Sequence, residues 1–275
     1  GLKTQFSSDD VLTITAYYRD IFDYITRKTA KISSPRFSSQ TYTTYINSDY
    51  SRSRGIELEY KKRIGKWFNG NASFTYAIVT GKSSSEDEGV LVSRGDIKES
   101  IKEKSMSWDR PFTASLSTSF YVEKDKPLFG FAPGILDDIN LYLRFFFQSG
   151  KRYTPAVFTG FVNEKGRAEY DYDTDAPNSK VGDDWIWIDL NFEKYFQLFG
   201  FKFSISVEVN NLLDTKNSAI INPVTGKAYE YGDDVPANWN DPRYPDVQAP
   251  ISAYPFNPAR YLTRRNVKFG VSLRF

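Results

Sequence analysis

The sequence predicts an all-β fold in which antiparallel strands form part of a transmembrane β-barrel. Apolar and polar residues alternate along nine segments, and short and long connections alternate between these segments. Aromatic residues make up 17% of a chain whose mean hydropathy is −0.50. A period of two is typical of strands with one apolar and one polar face. A polar average with many aromatic side chains fits a wall that faces both lipid and water.

Nine strands follow from this alternation. Their apolar faces lie, in chain order, at 1–6; at Leu12, Ile14, Ala16 and Tyr18; at Ile56, Leu58 and Tyr60; at Ala72, Phe74, Tyr76 and Ile78; at Ala114, Leu116, Thr118 and Phe120; at Ile139, Leu141, Leu143, Phe145 and Phe147; at Ile186, Ile188, Leu190 and Phe192; at Phe201, Phe203, Ile205, Val207 and Val209; and at Val267, Phe269, Val271, Leu273 and Phe275. The opposite faces carry charged side chains such as Glu57, Arg144 and Lys202. An apolar outer belt and a polar lumen are typical of membrane barrels.

The connections between the strands give independent support for a barrel. The short or intermediate ones are 7–10, 65–69, 123–138 and 196–200, and the long ones are 28–48, 82–107, 151–183 and 214–258. Outer-membrane barrels have short periplasmic turns and long extracellular loops. The alternation of short and long connections therefore predicts extracellular long loops and a periplasmic C-terminus.

Composition excludes several classes of function. The chain has neither cysteine nor histidine, so it can supply no thiolate, no imidazole base and no nitrogen ligand for zinc or haem. We therefore expect no enzyme activity and no cofactor. A net charge of +2 without a basic face argues against nucleic acid as a partner. No apolar run of about eighteen residues is present, which excludes a transmembrane helix.

Several motifs resemble TonB-dependent outer-membrane receptors, in the order in which that family has them. The segment Val209-Asn210-Asn211-Leu212-Leu213-Asp214 resembles the family's "NLFD" motif, and the ending 265–275 resembles its last strand. The segments 12–24 and 54–59 are similar to two further strands of the family. The segments 108–111 and 257–260 are similar to its Bacteroidota branch. The resemblance covers essentially the whole chain.

This resemblance implies that residues 1–275 are the C-terminal part of one barrel domain. The family's barrel has 22 strands around a plug, so nine strands would leave both sheet edges open, and we expect the missing strands and the plug before Gly1. The family imports scarce ligands such as siderophores, cobalamin or oligosaccharides. The implied partners are outer-membrane lipid, the TonB complex through a part absent from this chain, the barrel-assembly machinery, a small-molecule or glycan ligand and a surface lipoprotein.

Aromatic residues at the outer end of the predicted barrel are the candidates for ligand contact. Trp185 and Trp187 are expected on the lumen side near the outer rim, where a ligand could stack; packing or an interfacial position is the alternative. The long loop 214–258 adds Tyr229, Tyr231, Trp239 and Tyr244. Long loops of this kind often carry function, although ordinary loop packing would also explain them.

Two further sets of residues are singled out by pattern. Phe269, Val271, Leu273 and Phe275 resemble the terminal motif that the barrel-assembly machinery reads. Asp171, Asp173 and Asp175 alternate as in a calcium loop, but Ala176 stands where an EF-hand needs glycine, so a solvated acidic loop is the favoured interpretation. The pair Glu57 and Glu59 has the residue types of a glycosidase site, but two neighbours on one lumen face fit a polar wall better.

Two other functions remain open at this point. One is a porin or barrel adhesin without a plug, and the other is a soluble β-sandwich that binds carbohydrate through aromatic loops. The residues that precede Gly1 in the parent protein would separate them, because only the transporter predicts a plug there.

Overall fold

A computed structural model of the chain describes residues 1–31, 40–82, 90, 92, 103–126, 135–162, 168–229 and 261–274. The strands are β1 (Leu2–Ser7), β2 (Asp10–Lys31), β3 (Thr41–Ile64), β4 (Phe68–Gly81), β5 (Lys104–Ser105), β6 (Phe112–Val122), β7 (Ile139–Gln148), β8 (Arg152–Tyr153), β9 (Ala156–Val162), β10 (Ala168–Tyr172), β11 (Lys180–Val181), β12 (Trp185–Leu198), β13 (Phe201–Asn210) and β14 (Asn266–Arg274). Across these described ranges, no helix is long and apolar enough to cross a membrane.

Nine of these strands form one antiparallel sheet. Its order is β1-β2-β3-β4-β6-β7-β12-β13-β14, with β5 added beside β4. Apart from that addition, strands that follow one another around the sheet also follow one another along the chain, which is the up-and-down order of membrane barrels. β1 and β14 form the two edges, so this sheet is an open part of a barrel wall. The predicted all-β class and the nine predicted strands are confirmed.

The connections divide the sheet into two ends. The short-turn end contains the described residues 8–9, 65–67, 123–126, 135–138 and 199–200. The long-loop end contains the connections that follow β2, β4, β7 and β13, and it also carries the small sheets β8–β11 and β9–β10. The predicted alternation of short and long connections is therefore present in the structure.

The first long connection is shorter than the sequence indicated. The expected loop 28–48 is largely strand, because the ladder of β2 and β3 runs on to the pair Lys31 and Thr41. The apolar alternation stops well before this point, and a bulge with Asp23 at φ 58° shifts the register between Ile21 and Tyr24. Backbone hydrogen bonds, rather than an apolar face, continue this hairpin beyond the apolar belt.

The apolar faces predicted from the alternation lie on one side of the sheet. On β13 and β14, Val207 pairs with Phe269 and Ile205 pairs with Val271. Phe269 and Val271 are 79% and 78% exposed, so this side of the sheet offers a continuous apolar surface. An exposed apolar surface of this kind is unfavourable in water and favourable against lipid.

Ion pairs mark the limits of the apolar belt on β2 and β3. Asp10 pairs with Lys62 near the short turns, and Asp20 pairs with Arg52 at 2.8 Å near the long loops. Both pairs lie on the face that carries Ile14, according to the strand register. About ten residues separate the two levels, and at about 3.3 Å per residue and a tilt of about 40° they span about 25 Å. This height matches the apolar band of an outer-membrane barrel.

The opposite face of the sheet is polar. Hydroxyl groups face each other across neighbouring strands, with 2.7 Å between Ser204 Oγ and Ser272 Oγ. Beside them, the Lys268 ammonium lies 3.0 Å from the Glu208 carboxylate. In a closed barrel this face lines the lumen.

Candidate ligand-facing site

An aromatic column stands on the polar face of β7 and β12. The rings of Phe146 and Trp187 stack with centroids 4.4 Å apart and an angle of 20° between their planes. Trp185 follows, with its ring centroid 6.5 Å from that of Trp187. The register pairs Trp187 with Phe146 and Asp189 with Arg144, which places these rings on the face that carries the charged side chains. Three large rings are therefore aligned on the lumen side of the wall.

A cation covers the end of this aromatic column that lies nearest the long loops. The guanidinium carbon of Arg110 lies 3.8 Å from the centroid of the Trp185 ring, within the range of a cation–π contact. The same guanidinium donates a hydrogen bond of 3.0 Å to the carbonyl of Ser149. Burial lowers the pKa of Arg110 below its ordinary value. Because the Trp185 indole also donates to the carbonyl of Ser218 at 2.9 Å, its orientation is fixed.

A cavity of about 260 Å³ opens beside the aromatic column. Its lining combines one indole with carboxylate, amide and hydroxyl groups, from Trp187, Asp189, Asn210, Asn211, Asn217, Leu262 and Thr263. An aromatic face beside a few convergent polar groups is the usual composition of a small-molecule site.

Side-chain hydrogen bonds connect the loop after β13 to the long-loop end of β12. The Asn217 amide accepts from the backbone nitrogen of Ile186 at 2.8 Å and donates to the carbonyl of Ile186 at 2.9 Å. The backbone nitrogen of Leu212 donates to the carbonyl of Ile188 at 2.7 Å. The loop thus supplies hydrogen-bond partners to the part of β12 that extends beyond the end of β13. These bonds also fix the wall of the cavity.

The Asn-Leu-Leu-Asp motif forms a turn and a clamp. Asn211 and Asp214 both adopt positive φ angles, 53° and 54°, which Asn and Asp tolerate better than most residues. The Asp214 carboxylate accepts two hydrogen bonds from Arg264, at 2.9 and 2.6 Å, and one from the backbone nitrogen of Arg265 at 3.0 Å. These contacts hold the pKa of Asp214 well below its ordinary value. The motif therefore fixes the start of β14.

Asp109 anchors the loop that precedes β6. Its side chain is 0% exposed, accepts a hydrogen bond of 2.9 Å from the backbone nitrogen of Val79 and pairs with Arg152 at 2.9 Å. A buried charge needs such partners. The resemblance of 108–111 to one branch of a family thus coincides with a structural role of Asp109.

The loop tyrosine Tyr229 lies within the loop packing, because it is only 3% exposed. Its burial fits the alternative of ordinary loop packing better than direct ligand contact. Tyr231, Trp239, Tyr244 and Phe275 lie outside the described residues.

The acidic residues Asp171, Asp173 and Asp175 do not form a metal cluster. No group of three acidic residues suited to a metal ion occurs in the described ranges. The Asp173 carboxylate instead accepts a hydrogen bond of 3.1 Å from the backbone nitrogen of Ala176, which closes a local turn.

The sequence pointed to part of the aromatic column and missed the rest. Phe146 could have been found, because it is an aromatic residue on a face that otherwise carries Arg144 and Gln148. Arg110 and Asn217 gave no such indication, because their contacts join residues more than thirty positions apart in the chain.

The chain matches the model of a known protein family. The family model described as "TonB dependent receptor-like, beta-barrel" matches residues 1–212 of the chain. A search of curated protein sequences gave no match.

A comparison with solved structures gives several similar chains. The outer membrane transporter YddB from Escherichia coli has a TM-score of 0.52 and 13% identity, over 80% of this chain and 28% of YddB. FpvA from P. aeruginosa, bound to heterologous pyoverdines, has a TM-score of 0.48 and 16% identity, over 96% of this chain and 24% of FpvA. FpvAI in its complex with pyocin S2 has a TM-score of 0.45 and 17% identity, over 78% and 23%. The likeness to YddB supports the fold alone, and the chain spans 28% of that protein.

Proposed function

Because the chain belongs to the family of TonB-dependent receptor-like β-barrels, we propose that it forms part of the wall of an outer-membrane receptor that imports a scarce ligand. The ligand classes of this proposal are siderophores, cobalamin and oligosaccharides. The whole chain, residues 1–275, is one piece of a larger barrel domain whose lumen holds a plug. Transport by that receptor depends on the TonB complex rather than on chemistry catalysed by this wall.

The aromatic column on the lumen face is the observation that supports a ligand-facing role. Phe146, Trp187 and Trp185 rise towards the long loops, and the cavity of about 260 Å³ lies beside them. A porin wall for unselective diffusion has no need of aligned rings held by loop hydrogen bonds. The ligand contacts Trp187 and Trp185, and Tyr231, Trp239 and Tyr244 contribute from the loop.

The difference between the two ends of the sheet supports a proposed orientation in the membrane. We assign the long-loop end to the extracellular side and the short turns and the C-terminus to the periplasm, since outer-membrane barrels have this asymmetry. The apolar belt contacts outer-membrane lipid. Phe269, Val271, Leu273 and Phe275 form the motif that the barrel-assembly machinery reads, and a surface lipoprotein caps the long loops.

Replacement of Trp187 by alanine in the full-length receptor tests the proposed site. Uptake at low ligand concentration should fall about ten-fold, because the loss of one stacking contact of about 1.4 kcal/mol lowers affinity by that factor. The measurement is uptake of labelled ligand by intact cells, with receptor amounts matched on gels of unboiled samples.

Trp67→Ala provides the matched control. Trp67 is also a tryptophan but lies at the short-turn end, so its removal should leave uptake unchanged. Normal uptake in Trp187→Ala, or an equal loss in both variants, would exclude the aromatic column from the binding site.

A further inference from the structure

Two guanidinium groups flank the aromatic column. At the end nearest the long loops, the guanidinium carbon of Arg110 lies 3.8 Å from the centroid of the Trp185 ring. At the other end, the guanidinium carbon of Arg144 lies 5.9 Å from the centroid of the Phe146 ring. Both distances are within the range of a cation–π contact. A positive charge therefore stands at each end of the same three rings.

Arg144 lies on the same face of the wall as the rings. It precedes Phe146 by two positions in β7, and the register pairs it with Asp189, two positions after Trp187 in β12. Residues two positions apart in a strand point to the same side of the sheet. The Arg144 side chain is exposed. This cation therefore lies on the polar face, which lines the lumen of a closed barrel.

No carboxylate neutralises Arg144 within the described ranges, where it belongs to no ion pair. Asp189 faces it in the register, but the Asp189 carboxylate accepts a hydrogen bond of 3.0 Å from the backbone nitrogen of Asn211 instead. The acidic side chain closest in the register thus serves the backbone of the motif after β13. The guanidinium of Arg144 is left with donors that can bind a ligand.

Arg110 also keeps free hydrogen-bond donors. It forms no ion pair in the part of the chain that the structure describes, and there its guanidinium donates one hydrogen bond, to the carbonyl of Ser149 at 3.0 Å. Asp184, directly before β12, accepts from the backbone nitrogen of Gly150 at 3.0 Å. Arg110 is half-buried. Because a partly buried cation without a counter-charge is unfavourable, a carboxylate from outside the wall would stabilise it.

We propose that Arg110 and Arg144 bind carboxylate groups of the imported ligand, which is a polycarboxylate. A planar guanidinium donates two parallel hydrogen bonds to a carboxylate. The body of the ligand lies against the aromatic column, and the cavity of about 260 Å³ beside Trp187 receives part of it. The inference rests on the proposed function and narrows its ligand classes to acidic oligosaccharides and polycarboxylate iron chelates.

Calorimetric titration of the purified full-length receptor with defined probes tests the inference. Trigalacturonate and ferric citrate represent the two sources of a polycarboxylate, a glycan and an iron chelate. Fully methyl-esterified trigalacturonate and cyanocobalamin are the probes without carboxylates. The wild type should bind one of the two polycarboxylates about ten-fold more tightly than either probe without carboxylates, because only the former makes charge-assisted hydrogen bonds.

Arg110→Gln and Arg144→Gln remove one charge each and keep a side chain that can donate a hydrogen bond. Each variant should bind the preferred polycarboxylate about ten-fold more weakly. Arg19→Gln is the matched control, because Arg19 is an exposed arginine on the polar face of β2, which is four strands from β7 in the sheet order. This control should bind as the wild type does.

The dependence of binding on salt separates contact with the ligand from a structural role. The affinity of the wild type for the polycarboxylate should fall as sodium chloride is added, since salt screens the attraction between charges. The double variant Arg110→Gln/Arg144→Gln should respond less to salt. If the arginines only held the rings in place, the double variant would bind all probes more weakly and keep the wild-type dependence on salt.

Three results would overturn the inference: binding of neither polycarboxylate by the assembled wild type, equal affinity for probes with and without carboxylates, or unchanged binding in both arginine variants. Gels of unboiled and boiled samples establish that each receptor is assembled. Import of cyanocobalamin or of the esterified probe that requires TonB would overturn this inference and leave the proposed function standing. Failure of the barrel to assemble in the outer membrane would count against the proposed function instead.

Discussion

Asp214 shows how one residue of a short motif organises its surroundings. Its carboxylate joins the end of β13 to the start of β14 through Arg264 and Arg265. The resemblance of the motif was visible in the sequence, but its partner was not, because fifty positions separate Asp214 from Arg264. The contacts of Arg110 and Asn217 could not be predicted for the same reason.

Trp185 and Trp187 could be singled out in the sequence, because they are large rings on a face that is otherwise polar.

The stabilisation that the ion pair of Asp214 and Arg264 gives to the fold should depend on pH. Hydrogen bonds from Arg264 lower the pKa of Asp214 from 3.8. The stabilisation of the folded state by this ion pair is therefore fully present above pH 3.8 and is lost progressively as the pH falls below that value. Asp214→Asn should lower the unfolding temperature at pH 7, and the difference from the wild type should become smaller as the pH falls below 3.8. The measurement is the temperature at which the folded band disappears on gels.

Asp9→Asn is the control for this change, because Asp9 is an exposed turn residue away from the clamp. A difference in unfolding temperature between the wild type and Asp214→Asn that is as large at pH 3 as at pH 7 would contradict the account of this ion pair.

The strands could be predicted better than any other element. A period of two gives both the strand and its two faces, and the register of β13 and β14 agrees with the prediction. The outer part of β2 and β3 could not be predicted, because Thr41 to Thr44 and their partners have no apolar alternation. The small sheets β8–β11 and β9–β10 were likewise missed, since they lie inside the connection 151–183, which was predicted as one long loop.

The two faces of β14 should respond differently to substitution. Val271 lies on the apolar face, paired with Ile205, and Ser272 lies on the polar face, paired with Ser204. Val271→Arg should destabilise the barrel by about 2–4 kcal/mol if the site lies near the bilayer midplane. Ser272→Asn should cost about 1 kcal/mol or less, because it loses one hydroxyl contact on a polar wall.

Urea titrations of the refolded full-length receptor in lipid vesicles measure both free energies of unfolding. Equal destabilisation by the two substitutions would show that the faces of β14 are assigned to the wrong environments.

At the scale of the whole molecule, the sheet behaves as one segment of a larger wall. Its open edges need further strands as hydrogen-bond partners. Its belt of about 25 Å and its polar face suit a closed barrel, in which the belt contacts lipid and the polar face lines the lumen. The two ends of the sheet differ in what they carry. The long-loop end carries the aromatic column and the tied loop after β13, and the short-turn end carries the turns 65–67 and 199–200. Composition alone could not separate a barrel from a sandwich, whereas the order of connections could.

The absence of cysteine makes the orientation of this wall directly measurable. Single cysteines are introduced at Phe161 in the β9–β10 hairpin and at Trp67 in a short turn, in a full-length receptor without other cysteines. Both side chains are exposed. Intact cells are then treated with a maleimide that does not cross the outer membrane.

The account predicts that Phe161→Cys is labelled in intact cells, and that Trp67→Cys is labelled only after the outer membrane has been permeabilised. Gels of unboiled samples verify that both variants are assembled in the outer-membrane fraction. Labelling of Trp67→Cys but not Phe161→Cys in intact cells, or recovery of the assembled protein in the soluble fraction, would contradict the central claim that this chain is an outer-membrane barrel wall with its long loops outside.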